Sequence, residues 1–163
     1  MALSDQVKKA IATYIWDIKA DVNAFATAVS STAFFDGGFV DLIVRRTPLI
    51  GVVYIFDITA SATVAATSYQ HYTAQGIIFK DNGGTWGEDG DRRRFRVEYT
   101  YGFTAIPDDV QLAIDTWVNY LTTNNTGAIS SYTTGDDSES YVDVKDMPNT
   151  VKALLGKYRR LII

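Results

Sequence analysis

Few residues of this chain have the types and spacing that catalysis requires. The single histidine, His71, lies between Gln70 and Tyr72 in a predicted strand, and the neighbouring sequence offers it no set of partners. A Ser-His-Asp arrangement stays open, because its members meet only in space, but nucleophile-elbow, Walker A and dinucleotide-binding motifs are absent. We therefore expect no enzymatic activity, with a small hydrolase or metal-dependent enzyme that uses His71 as the rival interpretation.

Two acidic segments are candidates for metal binding. Asp136, Asp137 and Glu139 lie in a polar tract, where solubility is the simpler explanation for them. The segment at 83–91 resembles one copy of a glycine-aspartate calcium repeat, a motif that works only when several copies stack. The chain has no cysteine, which excludes disulfides and cysteine-based zinc sites and fits a reducing compartment. No metal and no cofactor are expected.

The densest positive charge lies at Arg92, Arg93, Arg94 and Arg96. On a strand, Arg92, Arg94 and Arg96 would share one face and could contact phosphates or acidic residues of a neighbouring subunit. A solvated strand face with local ion pairs, such as Arg96 with Glu98, is the alternative. The net charge of −4 argues against a broad nucleic-acid-binding surface, which needs a strongly basic face.

A second group of charged residues stands at the C-terminal end, where a predicted helix opens at Pro148. A cationic rim lies there beside an apolar plug. The rim consists of Lys157, Arg159 and Arg160, and the plug of Leu161, Ile162 and Ile163. This is the composition of a docking element, in which buried apolar area supplies affinity and charge supplies orientation.

The secondary structure that must position these groups changes type near residue 100. Phe95, Val97, Tyr99 and Tyr101 alternate with polar residues, as the apolar face of a half-buried strand does. Helical signals follow at Pro107, which suits a first helical position, and at two aspartates that complement the helix dipole. A strand-to-helix junction is therefore predicted, with the helix starting at Pro107.

The N-terminal segment at 4–29 carries an apolar stripe with steps of three and four residues. This spacing predicts one helix of about 25 residues, roughly 38 Å long at about 1.5 Å per residue. Two interpretations of so long a rod stay open. Part of its stripe faces another subunit, or all of it packs on the core of its own domain.

Residues 33–101 are rich in β-branched and aromatic residues broken by turn signals, and they predict a small antiparallel sheet. The polar tract at 124–145 cannot bury much apolar surface and is expected to be mobile in an isolated subunit. The prediction is one α+β domain at 1–163: a helical frame, with a long N-terminal and two C-terminal helices, that holds the inserted sheet. No apolar run approaches the ~20 residues that span a bilayer, and no secretory signal is evident, so a cytosolic protein is expected.

Short motifs follow one another in a characteristic order from about residue 34 onward. They are Asp36-Gly37-Gly38, Arg46-Thr47-Pro48-Leu49-Ile50, Val97-Glu98-Tyr99-Thr100-Tyr101-Gly102, Ile106-Pro107-Asp108-Asp109-Val110, Ser138-Glu139-Ser140-Tyr141, and Met147-Pro148 ahead of Tyr158-Arg159-Arg160. No single motif is specific, but the ordered set resembles the head–tail connector (adaptor, or neck) proteins of tailed bacteriophages. One departure is that the family has an additional short helix near the N-terminus.

The resemblance implies a structural virion protein that forms a ring, typically of twelve subunits, under the portal. Such a ring connects the head to the stopper or tail and continues the DNA channel, with at most transient contact to the passing DNA. It also implies that the C-terminal segment docks on the portal, and that the protein belongs to the virion neck after assembly in the host cytoplasm. The alternative within the virion is a stopper or tail-completion protein, but those are mainly β.

Overall fold

The computed structural model describes residues 2–16, 21–124, 129–134 and 137–158. The chain divides into two compact units, a helical unit at 1–22 and 106–163 and a sheet unit at 23–105. The helices are α1 (Leu3–Ile15), α2 (Asp108–Asn124) and α3 (Asn149–Leu155), with short 3-10 helices at Val22–Phe25, Ala66–Ser68, Val144–Asp146 and Gly156–Tyr158. The strands are β1 (Val29–Phe35), β2 (Asp41–Ile43), β3 (Leu49–Asp57), β4 (Ala62–Thr63), β5 (Tyr69–Tyr72), β6 (Ile77–Lys80), β7 (Phe95–Tyr101), β8 (Ile129–Thr134) and β9 (Asp137–Val142).

In the helical unit, α2 packs against both α1 and α3, and β8 and β9 form an antiparallel hairpin. The carbonyl of Pro107 accepts a hydrogen bond from the Gln111 N–H at 2.9 Å, so the first turn of α2 follows Pro107 directly. Asp108 and Asp109 place negative charge where the helix dipole favours it. The predicted start of this helix is therefore correct to within one residue.

The larger sheet of the sheet unit is antiparallel and has the order β1-β7-β3-β4. Its central strand β7 shows the predicted alternation: Phe95, Val97, Tyr99 and Tyr101 are buried, and the residues between them are half-buried on the other face. The strand is central because β1 and β3 both pair along its whole length.

The smaller sheet of the same unit is also antiparallel and has the order β2-β6-β5. Its inner face contributes Leu42 and Ile78, both fully buried. Trp86 joins the two sheets, because its buried ring lies 6.2 Å from the Tyr69 ring of the smaller sheet and 5.5 Å from the Phe95 ring of the larger one. The inner faces of both sheets therefore share one core.

The Asp36-Gly37-Gly38 turn holds the loop that precedes β7. The Gly37 and Gly38 N–H groups donate to the carbonyls of Asp91 and Trp86, each at 2.7 Å. A Cβ atom at Gly37 would lie 2.4 Å from the Glu88 carbonyl oxygen, so only glycine allows this close approach. The turn thus holds in place the loop that carries Arg92, Arg93 and Arg94.

The predicted long N-terminal helix is wrong. Helix α1 ends at Ile15 after 13 residues, and Val29–Phe35 is a strand. This strand pairs with β7 without a bulge, from Val29 opposite Tyr101 to Phe35 opposite Phe95. Val22–Phe25 forms a separate 3-10 helix, and at Val29 the hydrogen bonds and the packing along β7 outweigh the helical spacing, because strand formation depends mainly on such tertiary context. The argument that a long rod needs cover from another subunit therefore no longer holds.

The predicted single inserted sheet is wrong as well. The described part of the chain is roughly α+β, but its β region begins at Val29 and contains two sheets, of four and three strands. Alternation within a strand shows which face is buried but not which strand is its partner, and β2, β5 and β6 pair only among themselves. The tract at 124–145 contains the β8–β9 hairpin. Its mobility stays a prediction.

Candidate interaction surfaces

The arginine cluster is divided among different environments. Arg92 and Arg93 occupy a turn before β7, and Arg93 has a φ of 49°. Only Arg96 lies within the strand. The expectation that Arg92, Arg94 and Arg96 share one strand face is therefore wrong, because the turn interrupts the alternation. The Arg92 side chain is exposed.

Arg94 is committed to contacts inside the sheet unit. Its Nε lies 3.2 and 3.1 Å from the two carboxylate oxygens of Asp57, its Nη2 donates to Asp57 at 3.0 Å, and its Nη1 donates to Asp91. Burial by itself would raise the pKa of Asp57, but hydrogen bonds from Arg94 and from the backbone N–H groups of Ala60 and Thr59 outweigh it and lower the pKa. Arg94 thus fastens the end of β3 to the loop before β7.

The outer face of the larger sheet combines aromatic rings with arginines. The guanidinium carbon of Arg96 lies 5.4 Å from the ring centre of Tyr54 and 5.3 Å from that of Phe56, and that of Arg93 lies 4.3 Å from the Phe34 ring centre. We call these five residues the aromatic–arginine face. The Nε of Arg96 is buried and has no hydrogen-bond partner within the described residues. The Arg96 guanidinium thus contacts two aromatic rings of β3, while its Nε is closed off from solvent.

The outer face of the smaller sheet is apolar. Strand register places Ile43, Ile77 and Tyr72 in one row. Ile43 is 46% exposed and Tyr72 55%. Phe79, in the next row, stacks on the Tyr72 ring with 4.8 Å between ring centres. We call Ile43, Tyr72, Ile77 and Phe79 the apolar sheet face. Contiguous exposed apolar area of this kind marks a contact site for another molecule.

At the C-terminal end of the described chain, Lys157 and Tyr158 converge on Asp109. The Lys157 Nζ lies 2.6 Å from one carboxylate oxygen of Asp109, and the Tyr158 hydroxyl donates to the other at 2.5 Å. Burial would raise the pKa of Asp109, but the hydrogen bonds from Lys157 and Tyr158 outweigh it and lower the pKa. The last described turn is thus tied to the start of α2. The other docking candidates, Arg159, Arg160, Leu161, Ile162 and Ile163, lie outside the described residues.

The residues weighed for catalysis or metal binding do not converge. His71 is half-buried on β5 opposite Ile78 and makes no hydrogen bond to a carboxylate in the described part of the chain. Within the same residues, no group of three His, Cys, Asp or Glu side chains could hold a metal ion. Asp136 and the side chains of Asp137 and Glu139 lie outside what the structure describes.

Among the described residues, no helix combines the length and the apolar character that crossing a bilayer requires.

Sequence reasoning missed the apolar sheet face, although a signal for it was present. Residues 39–44 form a nearly continuous apolar run instead of an alternating one. Such a run is typical of a strand that is covered on both faces. Leu42 is buried inside the subunit, whereas Ile43 is exposed on the second face of the strand.

An α+β protein with a charged aromatic face, an exposed apolar face and no catalytic cluster in its described part has the properties of an assembly subunit. Comparison with protein families narrows this class. A family model described as "Head completion protein" matches residues 42–161. The chain belongs to the head completion protein family. This confirms the expected kinship with phage head–tail connector proteins and makes the chain a structural protein, not an enzyme.

Solved structures with a similar fold come from gene transfer agent (GTA) particles. A chain in the neck of the empty GTA particle, computed with C6 symmetry, is 14% identical with a TM-score of 0.58, and the match covers 99% of this chain and 79% of that one. A chain in the virion of the native GTA particle gives the same identity and TM-score, with coverages of 99% and 78%. For a chain in the neck of the native GTA particle, computed with C12 symmetry, the TM-score is 0.55 at 14% identity, with coverages of 99% and 83%.

At this level of identity the likeness concerns the fold. No curated protein sequence matches the chain.

Proposed function

We propose that the chain is a subunit of a homo-oligomeric ring in the neck of a phage or phage-like particle. There it lies under the portal, connects the head to the stopper or tail, and continues the DNA channel. The observation that carries the proposal is the head completion family match over residues 42–161. The subunits assemble in the host cytoplasm before they become part of the virion.

Symmetry and charge support the ring. The similar chains were found in necks computed with sixfold and twelvefold symmetry, which suits a ring of twelve copies. A net charge of −4 suits a channel through which DNA slides, since a strongly basic lining would retain the phosphates. Arg92, which is exposed, and Arg96 are the candidates for contacts with a neighbouring subunit or with passing DNA. Arg94 is the weaker candidate, because two carboxylates of its own chain already bind it.

The test uses DNA-filled heads prepared without this protein. Purified protein is added, unbound protein is removed by sedimentation, and tails are then supplied. We expect the protein to co-sediment with the heads and tailed particles to form only after its addition. Binding to isolated tails but not to heads would contradict the proposal and favour the stopper or tail-completion alternative.

The C-terminal segment is the proposed portal-docking element of this ring. Removing Leu161, Ile162 and Ile163 should leave the subunit folded but abolish co-sedimentation with heads, because the plug supplies the buried apolar area. Arg159→Ala combined with Arg160→Ala should only weaken attachment, and the difference from the wild type should shrink as the salt concentration is raised, since exposed charges are screened. If the deletion variant attached to heads as well as the wild type does, the portal would have to be bound by another surface of the subunit.

A further inference from the structure

We infer that the ring is closed by the apolar sheet face of one copy packing on the aromatic–arginine face of the next copy. This inference rests on the proposed ring function and names the surfaces that such a ring would use. It starts from the exposure of the apolar sheet face, where two large side chains are each about half exposed: Ile43 at 46% and Tyr72 at 55%.

The geometry of the sheet unit suits contacts that repeat from copy to copy. The two sheets turn their inner faces toward one core through Trp86. Each outer face therefore lies on the side of its sheet away from that core. A ring requires a heterologous contact, in which one surface of a subunit meets a different surface of the next. Two outer faces on one compact unit provide such a pair.

The chemistry of the two faces is complementary. Asp41 is the charged residue beside the apolar sheet face, where it flanks Phe79 in the same row as Gln70, and it makes no ion pair within the described residues. The aromatic–arginine face carries the guanidinium groups of Arg93 and Arg96, and Arg93 is exposed. Asp41 of one copy can accept from Arg96 of the next while Ile43 and Tyr72 pack on Phe34 and Phe56, an arrangement of apolar contact with an oriented charge pair.

The chain offers a clean cross-linking test because it has no cysteine. Gln70→Cys places a thiol at the apolar sheet face and Thr32→Cys places one at the aromatic–arginine face, both at exposed positions. The two variants are mixed, bound to portal-bearing heads and treated with a short thiol-specific cross-linker. We expect a covalent dimer in the mixture and none with either variant alone.

Cross-linking of Gln70→Cys with itself would show that two apolar sheet faces meet, and this would overturn the inference. Attachment of the mixed variants to heads without any dimer would also overturn it while leaving the ring function intact. Failure of the wild-type protein to attach would instead overturn the ring function and this interface together.

Charge reversal tests the pairing of residues. Asp41→Arg and Arg96→Asp should each reduce ring formation on heads at least tenfold, and the variant that carries both changes should regain most of it. Asp115→Arg is the matched control, since it reverses an exposed acidic residue of α2 and should have no effect. Normal thermal unfolding of each variant excludes a folding defect, and an absence of rescue in the double variant would contradict the proposed Asp41–Arg96 pair.

Discussion

Leu42 and Ile43 are neighbours on one strand, but they have opposite surroundings. Leu42 is fully buried in the core that the two sheets share, and Ile43 is 46% exposed on the outer face. Both are large aliphatic residues in a strand of three residues. The comparison shows that aliphatic residues of one strand lie in two environments. On the inner faces of the sheets such residues stabilise the subunit, and on the outer faces they are exposed and available for the proposed assembly contacts.

The first way to test this comparison is to remove a side chain of the inner face. Leu42→Ala should lower the free energy of unfolding by ~2–5 kcal/mol, because it removes fully buried methyl groups and leaves a cavity. Chemical denaturation followed by circular dichroism measures this change. A loss below about 1 kcal/mol, the scale of ordinary surface substitutions, would contradict the assignment of this face to the core.

A second test compares two arginines that lie two positions apart. Arg94→Met should lower the melting temperature clearly, because the largely buried Asp57 then keeps only the backbone N–H groups of Thr59 and Ala60 as donors. Arg96→Met is the matched control, since Arg96 lies on the outer face and contacts rings. We expect a smaller fall for the control in thermal unfolding. An equal fall in melting temperature for the two variants would contradict the view that Arg94 stabilises the subunit more than Arg96 does.

Acid titration of stability gives a third, smaller effect. The pKa of Asp57 is lowered from its usual value of 3.8 in the folded state, so its stabilising contribution is fully present above that value. The contribution is lost as the pH falls through the lower, folded-state pKa. Asp57→Asn should therefore show a flatter fall of melting temperature below about pH 4 than the wild type, since the titrating carboxylate is absent. Parallel curves for the two proteins would show that Asp57 does not contribute to the acid sensitivity.

The smallest expected change in stability is on the outer face. Ile43→Thr keeps a β-branched side chain in the strand, and the free energy of unfolding should change by no more than about 0.5 kcal/mol. Attachment to heads in ring form should nevertheless decrease, because apolar contact with the next copy is lost. Chemical denaturation and co-sedimentation measure the two quantities separately. A large loss of stability would place Ile43 in the subunit core.

Patterns within one strand or helix predicted the structure well. The alternation from Phe95 to Tyr101 and the helix start after Pro107 could be read directly, because each depends on neighbours in sequence. The end of α1 at Ile15 could not be predicted, since Val22, Phe25 and Val29 continue the helical spacing although Val22–Phe25 is a separate 3-10 helix and Val29 pairs with β7. Long-range contacts of this kind are not encoded in a local period.

The candidate sites show the same division. The sequence located the arginines, but it could not show that Arg94 reaches Asp57, 37 positions away along the chain, while Arg96 stacks on aromatic rings of β3. Likewise, the composition of the C-terminal end marked Lys157 as a docking residue without indicating its contact with Asp109. The ordered motifs indicated the protein family, which the properties of single strands and helices could not, because the order of the motifs along the chain reflects the whole fold.

The most direct test of the account is electron microscopy of portal-bearing heads after addition of the purified protein. The account predicts a closed ring of this chain seated on the portal, with twelvefold symmetry and with the apolar sheet face of each subunit covered by its neighbour. Heads that bind no protein, or that bind separate subunits without contact between copies, would contradict it.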